Sequence, residues 1–114
     1  MVLPLRKERR ISQRKQLTGL LPGPLIVEDE ESSEKLMIYC KPIDVSQHGL
    51  GMITNYDLFE GQILQLDLKS RQIALKVIWV KPDFEKNDLR RCGLVLIDNR
   101  EDLVKIFEDK GCLK

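Results

Sequence analysis

An all-β domain, a small antiparallel barrel or sandwich with one C-terminal helix, is what this 114-residue chain predicts. Three observations carry that expectation. Six or so short apolar runs separated by turn signals fill the stretch from Leu17 to Ile97, the spacing of a small antiparallel β fold. Beyond Ile97 the apolar period lengthens to that of a helix. Ahead of Leu17, residues 1–16 are polar and basic with almost no apolar periodicity after Leu5, so they form a flexible arm or a short helix outside the core. The expected organisation is therefore a basic N-terminal arm, 1–16, and a β-barrel domain with a C-terminal helix, 17–114.

Each element has a local cause. Leu17 to Leu21 is an apolar run stopped by Pro22-Gly23-Pro24, a strong breaker. Leu25 to Val27 starts another strand, and the acidic segment Glu28 to Glu34 reads as a loop or hairpin tip. Leu36 to Ile43 is a strand whose Pro42 implies an edge position or a strand end, because proline has no N–H for a ladder. A turn over Asp44 to Gly49 leads to the strand Leu50 to Thr54, then to a loop carrying Asn55, Asp57 and Gly61. Gln62 to Leu68 alternates, with Leu64, Leu66 and Leu68 on one face, and Lys69-Ser70 makes a tight hairpin link. The return strand, Ile73 to Val80, buries Ile73, Leu75 and Val77, and Trp79 falls in phase with them, which assigns it to the core. Lys81 to Asn87 turns, and Arg91 to Ile97 supplies a further strand. Asp98 or Asn99 caps a helix whose stripe is Leu103, Val104, Ile106 and Phe107, ending before Gly111.

Composition excludes several classes. Apolar residues at 42% and charged residues at 32% are ordinary for a folded domain and unlike a disordered chain. The net charge of +1 hides a basic arm, where Arg6, Lys7, Arg9, Arg10, Arg14 and Lys15 face only Glu8, and an acidic loop at 28–34. No apolar run approaches the ~20 residues of a membrane-spanning helix, and Met1-Val-Leu-Pro-Leu5 is too short for a signal-peptide core, so a cytoplasmic location is expected. Cys40, Cys92 and Cys112 are odd in number and lack a Cys-x-x-Cys pattern, and Cys40 and Cys92 read as small apolar strand residues. His48 is the only histidine and reads as an exposed loop residue. Neither a metal site nor a catalytic dyad is expected, and no nucleophile–base pair or phosphate-binding glycine loop is visible, so the chain is not read as an enzyme and needs no catalytic cofactor.

Two short motifs carry the functional signal. Arg10-Ile11-Ser12-Gln13-Arg14 places two guanidinium forks four residues apart, suited to guanine edges or phosphates. Asp44-Val45-Ser46-Gln47-His48-Gly49 offers a carboxylate and a hydroxyl on a tight loop. Together they point to an anionic guanine nucleotide. The plainer alternatives are a solvated basic run for the first and a simple Asx-turn for the second, with Gly49 supplying a positive φ. Arg6 and Arg10 satisfy the arginine spacing in a second register.

Arg-x-x-x-Arg at Arg10 and Arg14, the lead-in Glu8-Arg9-Arg10, Asp-x-Ser-x-x-Gly at Asp44, Ser46 and Gly49, and the order of strands around them resemble the PilZ domain, a bacterial receptor for the second messenger cyclic di-GMP. The tryptophan-bearing strand Ile73 to Val80, the strand Cys92-Gly93-Leu94-Val95-Leu96 and the closing helix add to the likeness, which spans nearly the whole chain. Each motif alone recurs by chance; their order is the specific part. The acidic stretch between Arg14 and Asp44 is longer than the family pattern leads one to expect, and it is expected to point away from the arm.

The resemblance implies a six-stranded antiparallel PilZ-type barrel and a flexible arm that folds over the ligand. It assigns Arg10 and Arg14 to guanine edges and phosphates, Asp44 to guanine N–H donors, Ser46 to an added hydroxyl, and Gly49 to close backbone approach. Arg9 would hold a second, stacked ligand molecule, with Arg6 and Trp79 as secondary candidates. Charge-assisted hydrogen bonds contribute about 1.5–3 kcal/mol each. Ordering a backbone costs about 1–2 kcal/mol per residue, so four or five such bonds offset an arm of ~15 residues only in part. Stacking on arginine planes, or prior order in the arm, supplies the remainder.

Three functions follow from these readings: a cyclic di-GMP receptor that signals to a downstream protein partner through an order–disorder change of the arm, a PilZ-like interaction module that binds ligand poorly or not at all, and a small basic-armed barrel for nucleic acid. Aromatics at 5%, and no basic stripe with interleaved aromatics visible in the sequence, count against the third.

Overall fold

Period-two alternation builds seven antiparallel strands, and a computed structural model describes residues 17–28, 34–83 and 88–113 of them and their connections. The four arginines assigned to the arm, Arg6, Arg9, Arg10 and Arg14, lie outside the described residues, as does the acidic tip 29–33. The strands are β1 (Leu25–Glu28), β2 (Lys35–Ile38), β3 (Cys40–Val45), β4 (Gly49–Thr54), β5 (Ile63–Asp67), β6 (Gln72–Pro82) and β7 (Arg90–Leu96), followed by the helix α1 (Leu103–Asp109). They form one sheet in the order β2-β1-β5-β6-β7-β4-β3.

The two ends of that order, β2 and β3, are consecutive in the chain and separated only by Tyr39. Two Cα steps span at most about 7 Å, so the sheet must curl until its ends meet at this corner, and it forms a half-barrel. This accounts for the strand count. The expected single strand Leu36 to Ile43 is broken at Tyr39 into two pieces that pair with different neighbours, β2 with β1 and β3 with β4, giving seven strands where six were expected. The corner is pinned from inside: Thr54, fully buried, donates its hydroxyl to the Tyr39 carbonyl at 2.6 Å and accepts from the Tyr56 N–H at 3.2 Å. Glu28 faces Lys35 across β1–β2, so the acidic segment is the link of a hairpin. The run Leu17 to Leu21 does not become a strand; Leu17 alone forms a bridge, to Leu113. Pro42 lies on β3, the last strand in the sheet order, where a missing N–H is tolerated.

The core is what the alternation implies. Leu64 and Leu66 of β5, Ile73, Leu75 and Val77 of β6, Leu50 and Met52 of β4, and Cys92, Leu94 and Leu96 of β7 pack inward, and Leu103, Ile106 and Phe107 of α1 join them. The helix begins later than expected. Asp102 caps it, its side chain accepting from the Lys105 N–H at 3.2 Å, because Asp98 is engaged elsewhere: its carboxylate takes the Arg100 backbone N–H and guanidinium at 2.9–3.0 Å and is held down to about 2 by them. Gly111, at φ 75°, ends α1 in a Schellman geometry, with Gly111 N–H on Glu108 O at 3.1 Å and Cys112 N–H on Phe107 O at 2.8 Å. β6 also runs two residues past the expected Val80, to Pro82.

Replacing Thr54 with valine keeps the shape and removes the hydroxyl, leaving the Tyr39 carbonyl and Tyr56 N–H without their partner. We expect a loss of about 1–3 kcal/mol, read from the urea midpoint at constant m-value. A second expectation concerns pH. Burial raises the Cys40 thiol to about 12 and the Cys92 thiol to about 11, from an ordinary 9.0. The folded state therefore holds these protons more tightly than the unfolded chain. The stability they contribute is full below pH 9 and is lost as pH rises through 11 to 12. Urea titrations across that window should show a steeper decline for the wild type than for a Cys40→Ala/Cys92→Ala variant, and parallel slopes would refute the assignment.

Candidate functional site

The Asp44–Gly49 motif is the connection from β3 to β4, and two irregularities in the sheet determine what surrounds it. β3 shifts register between Pro42 and Asp44, with Ile43 as the extra residue. β6 shifts between Val77 and Trp79, with Ile78 as the extra residue. A bulge moves every following side chain to the other face. Pro42 points inward, whereas Asp44 is exposed on the outer face. Val77 is fully buried, whereas Trp79 is 37% exposed. The core assignment of Trp79 is thus corrected: the bulge at Ile78 carries its indole outside.

The register then sets one row across four strands. Asp44 of β3 faces Gly51 of β4, Gly51 faces Gly93 of β7, and Gly93 faces Trp79 of β6. Directly opposed residues share a face, so the row is continuous on the outside of the sheet. Its middle has no side chains. A Cβ on Gly51 would stand 2.7 Å from Asp44 Oδ1, and a Cβ on Gly93 would overlap the indole of Trp79. The carboxylate and the indole therefore lean over a floor of bare backbone, one from each end. Lys81 Nζ sits 5.5 Å from the Trp79 ring centroid and holds the ring in a cation–π contact.

Ser46 and Gly49 close the turn beside this row. Ser46 N–H donates to Gly49 O at 2.9 Å, and a Cβ on Gly49 would stand 3.1 Å from Ser46 Oγ. Gly49 is needed for that close approach; the positive φ expected of it belongs instead to Gly19, Gly61 and Gly111. Among the described residues the Asp44 carboxylate accepts no hydrogen bond, so the turn is not closed as an Asx-turn and both carboxylate oxygens remain available. His48 is exposed, as expected, and its carbonyl accepts from Leu96 N–H at 2.9 Å.

The turn is tied to both ends of the domain. Gln47 O accepts from Leu103 N–H, the first residue of α1, at 2.9 Å. After the helix, Cys112 O accepts from the Thr18 N–H at 3.1 Å and its hydroxyl at 3.2 Å. Thr18 stands four residues after Arg14. A Cβ on Gly19 would lie 4.0 Å from Lys41 Cε, on the strand that leads into Asp44.

The structure brings Asp44, Ser46, Gly49 and Trp79 to one side of the sheet. Gly51 and Gly93 were missed by sequence reasoning, though a glycine inside a strand is itself a sign of close backbone approach. Among the described residues no group of three or more His, Cys, Asp or Glu is placed to hold a metal, and no helix is long and apolar enough to cross a membrane.

Alanine at Gly93 tests the floor. Its Cβ must displace a rigid ring, so we expect a loss of about 1–3 kcal/mol together with a red-shifted emission from Trp79, the single tryptophan of the chain. Unchanged emission would mean that the indole does not rest on Gly93.

Comparison with known proteins adds one finding: the PilZ domain family model matches residues 4–109. No curated protein and no solved structure matches the chain. With that match covering nearly all of the 114 residues, and a curled antiparallel sheet closed by one C-terminal helix, the chain belongs to the PilZ domain family, a family of cyclic di-GMP receptors.

Proposed function

We propose that this chain is a non-catalytic, cytoplasmic receptor for cyclic di-GMP, with its ligand seated on the outer row Asp44–Gly51–Gly93–Trp79. That row is the observation that carries the reading. A guanine needs an acceptor for its N–H donors and a flat surface for its ring, and the row supplies a carboxylate with free oxygens, an exposed indole, and a floor where no Cβ holds the ring away. Ser46 adds a hydroxyl beside the carboxylate, and Gly49 keeps the turn tight enough to present both. Residues 1–16 act as the arm. Arg10 and Arg14 take guanine edges and phosphates, Arg9 holds a second stacked ligand, and Arg6 is the reserve in the alternative register.

Two features support the arm's part in this. Arg14 precedes Leu17 by three residues, a span of at most about 11 Å. Leu17 and Thr18 are anchored to Leu113 and Cys112, while Gly19 passes Lys41 on the strand leading to Asp44. Ordering of the arm over the ligand would reach a downstream protein through the surface it creates, and α1 links the arm's root to Gln47 of the turn.

Calorimetric titration tests the reading. We expect heat on adding cyclic di-GMP at tens of micromolar, and at least tenfold weaker binding for Asp44→Ala, Arg10→Ala and Arg14→Ala, since each removes a charge-assisted hydrogen bond of about 1.5–3 kcal/mol. Trp79→Ala should weaken binding without abolishing it. A silent wild type would favour the interaction-module reading, and full affinity in the Asp44 and arginine variants would remove the site from this row.

A further inference from the structure

The row next to the glycine floor carries charge. Lys41 of β3 faces Ile53 of β4, Ile53 faces Arg91 of β7, and Arg91 faces Lys81 of β6. On β4, β6 and β7 these residues stand two positions from the floor residues, and on β3 the bulge at Ile43 brings Lys41 to the same face as Asp44. The two rows are therefore parallel on the outside of the sheet, separated by two residues of strand rise, about 7 Å. Lys41, Lys81 and Arg91 are all exposed.

This placement is unfavourable in the free protein. Like charges directly opposite on neighbouring strands destabilise a sheet, and Arg91 lies directly opposite Lys81. Asp83 offsets part of it, with Oδ1 3.5 Å from Arg91 Nε, and its carboxylate is nearly buried, so it orients the guanidinium as well as balancing it. Among the described residues Lys41 has no ion pair and Lys81 has only its contact with the Trp79 ring. Three exposed cations thus share one row with Ile53, one of them steered by a carboxylate and one by an indole.

We propose that Lys41, Arg91 and Lys81 form a phosphate rail that takes the phosphates of the cyclic dinucleotide while its bases lie over the adjacent floor. The proposal rests on the reading of the floor as a guanine site. It adds phosphate contacts that come from the sheet and not from the arginines of residues 1–16. It also predicts that affinity falls with salt through residues of the sheet.

The test is calorimetric titration of cyclic di-GMP at low and high sodium chloride, using the wild type, Lys41→Gln, Lys41→Gln/Lys81→Gln, and Lys105→Gln on the exposed side of α1 as a control. The lysine variants leave the Arg91–Asp83 pair intact, and thermal melts confirm that they fold. We expect roughly threefold weaker binding for Lys41→Gln, at least tenfold for the double variant, and a shallower salt dependence in both. Lys41→Gln does not touch Trp79, so its loss cannot come from a displaced indole. Lys105→Gln should match the wild type. If the wild type binds and the double variant keeps both its affinity and its salt dependence, the rail is overturned and the floor reading stands. A wild type that binds no cyclic di-GMP overturns both. Tighter binding of a single-stranded oligonucleotide than of the cyclic dinucleotide, lost in the same variants, overturns the rail as a dinucleotide subsite and assigns it to nucleic acid.

Discussion

Two single-residue bulges decide which side of this sheet Asp44 and Trp79 occupy. Alternation alone would bury Asp44 with Pro42, and Trp79 with Val77; the extra residues at Ile43 and Ile78 turn both outward. The inversion has value only because Gly51 and Gly93 lie between them. Had either position carried a side chain, the carboxylate or the indole would be pushed off the floor. The outer row is thus one cooperative arrangement of two bulges and two glycines, made from two strand pairs, β3–β4 and β6–β7, that are distant from each other in sequence.

The inner face supplies the rigidity this requires. Curling is imposed by the covalent link at Tyr39, held by the Thr54 hydroxyl, and the resulting interior is filled by aliphatic side chains, Phe107 and the thiols of Cys92 and Cys112, with Cys40 packed against them. Helix α1 is only seven residues long and is too short to be stable alone. It persists because Leu103, Ile106 and Phe107 are buried and because its ends are bonded into the fold, at Gln47 and through Cys112 to Thr18. Those bonds place the helix between the motif turn and the segment at Thr18.

Much of this architecture was legible in the sequence. Gln62 to Leu68 and the start of Ile73 to Val80 read as alternating strands because burial on one face writes itself into every second residue, and the stripe from Leu103 to Phe107 announced the helix. What escaped had no period to betray it. A bulge leaves the local pattern looking unbroken, so Trp79 was assigned to the core. Asp98 and Asn99 read as the cap, but Asp98 is taken by its partner Arg100 and Asp102 caps the helix. The Tyr39 corner lies inside an uninterrupted apolar run, and neither chain position nor propensity marks it. Lys41, Lys81 and Arg91 are scattered over fifty residues and fall into line only through register, which is why no basic stripe was visible. Asp44, Ser46 and Gly49 could be grouped from the sequence because they lie within one turn.

The bulges also bear on how such a chain tolerates change in length. Loops such as Asn55 to Gly61 can absorb an inserted or deleted residue, since no side chain beyond them depends on phase. At Ile43 or Ile78 the loss of one residue would restore perfect pairing, and the sheet would survive it well. That more regular sheet would keep Asp44 opposite Gly51 and Trp79 opposite Gly93, both still on the outer face. The outer row therefore depends on which residues are paired across it, and a bulge is the means by which a strand one residue too long still reaches that pairing.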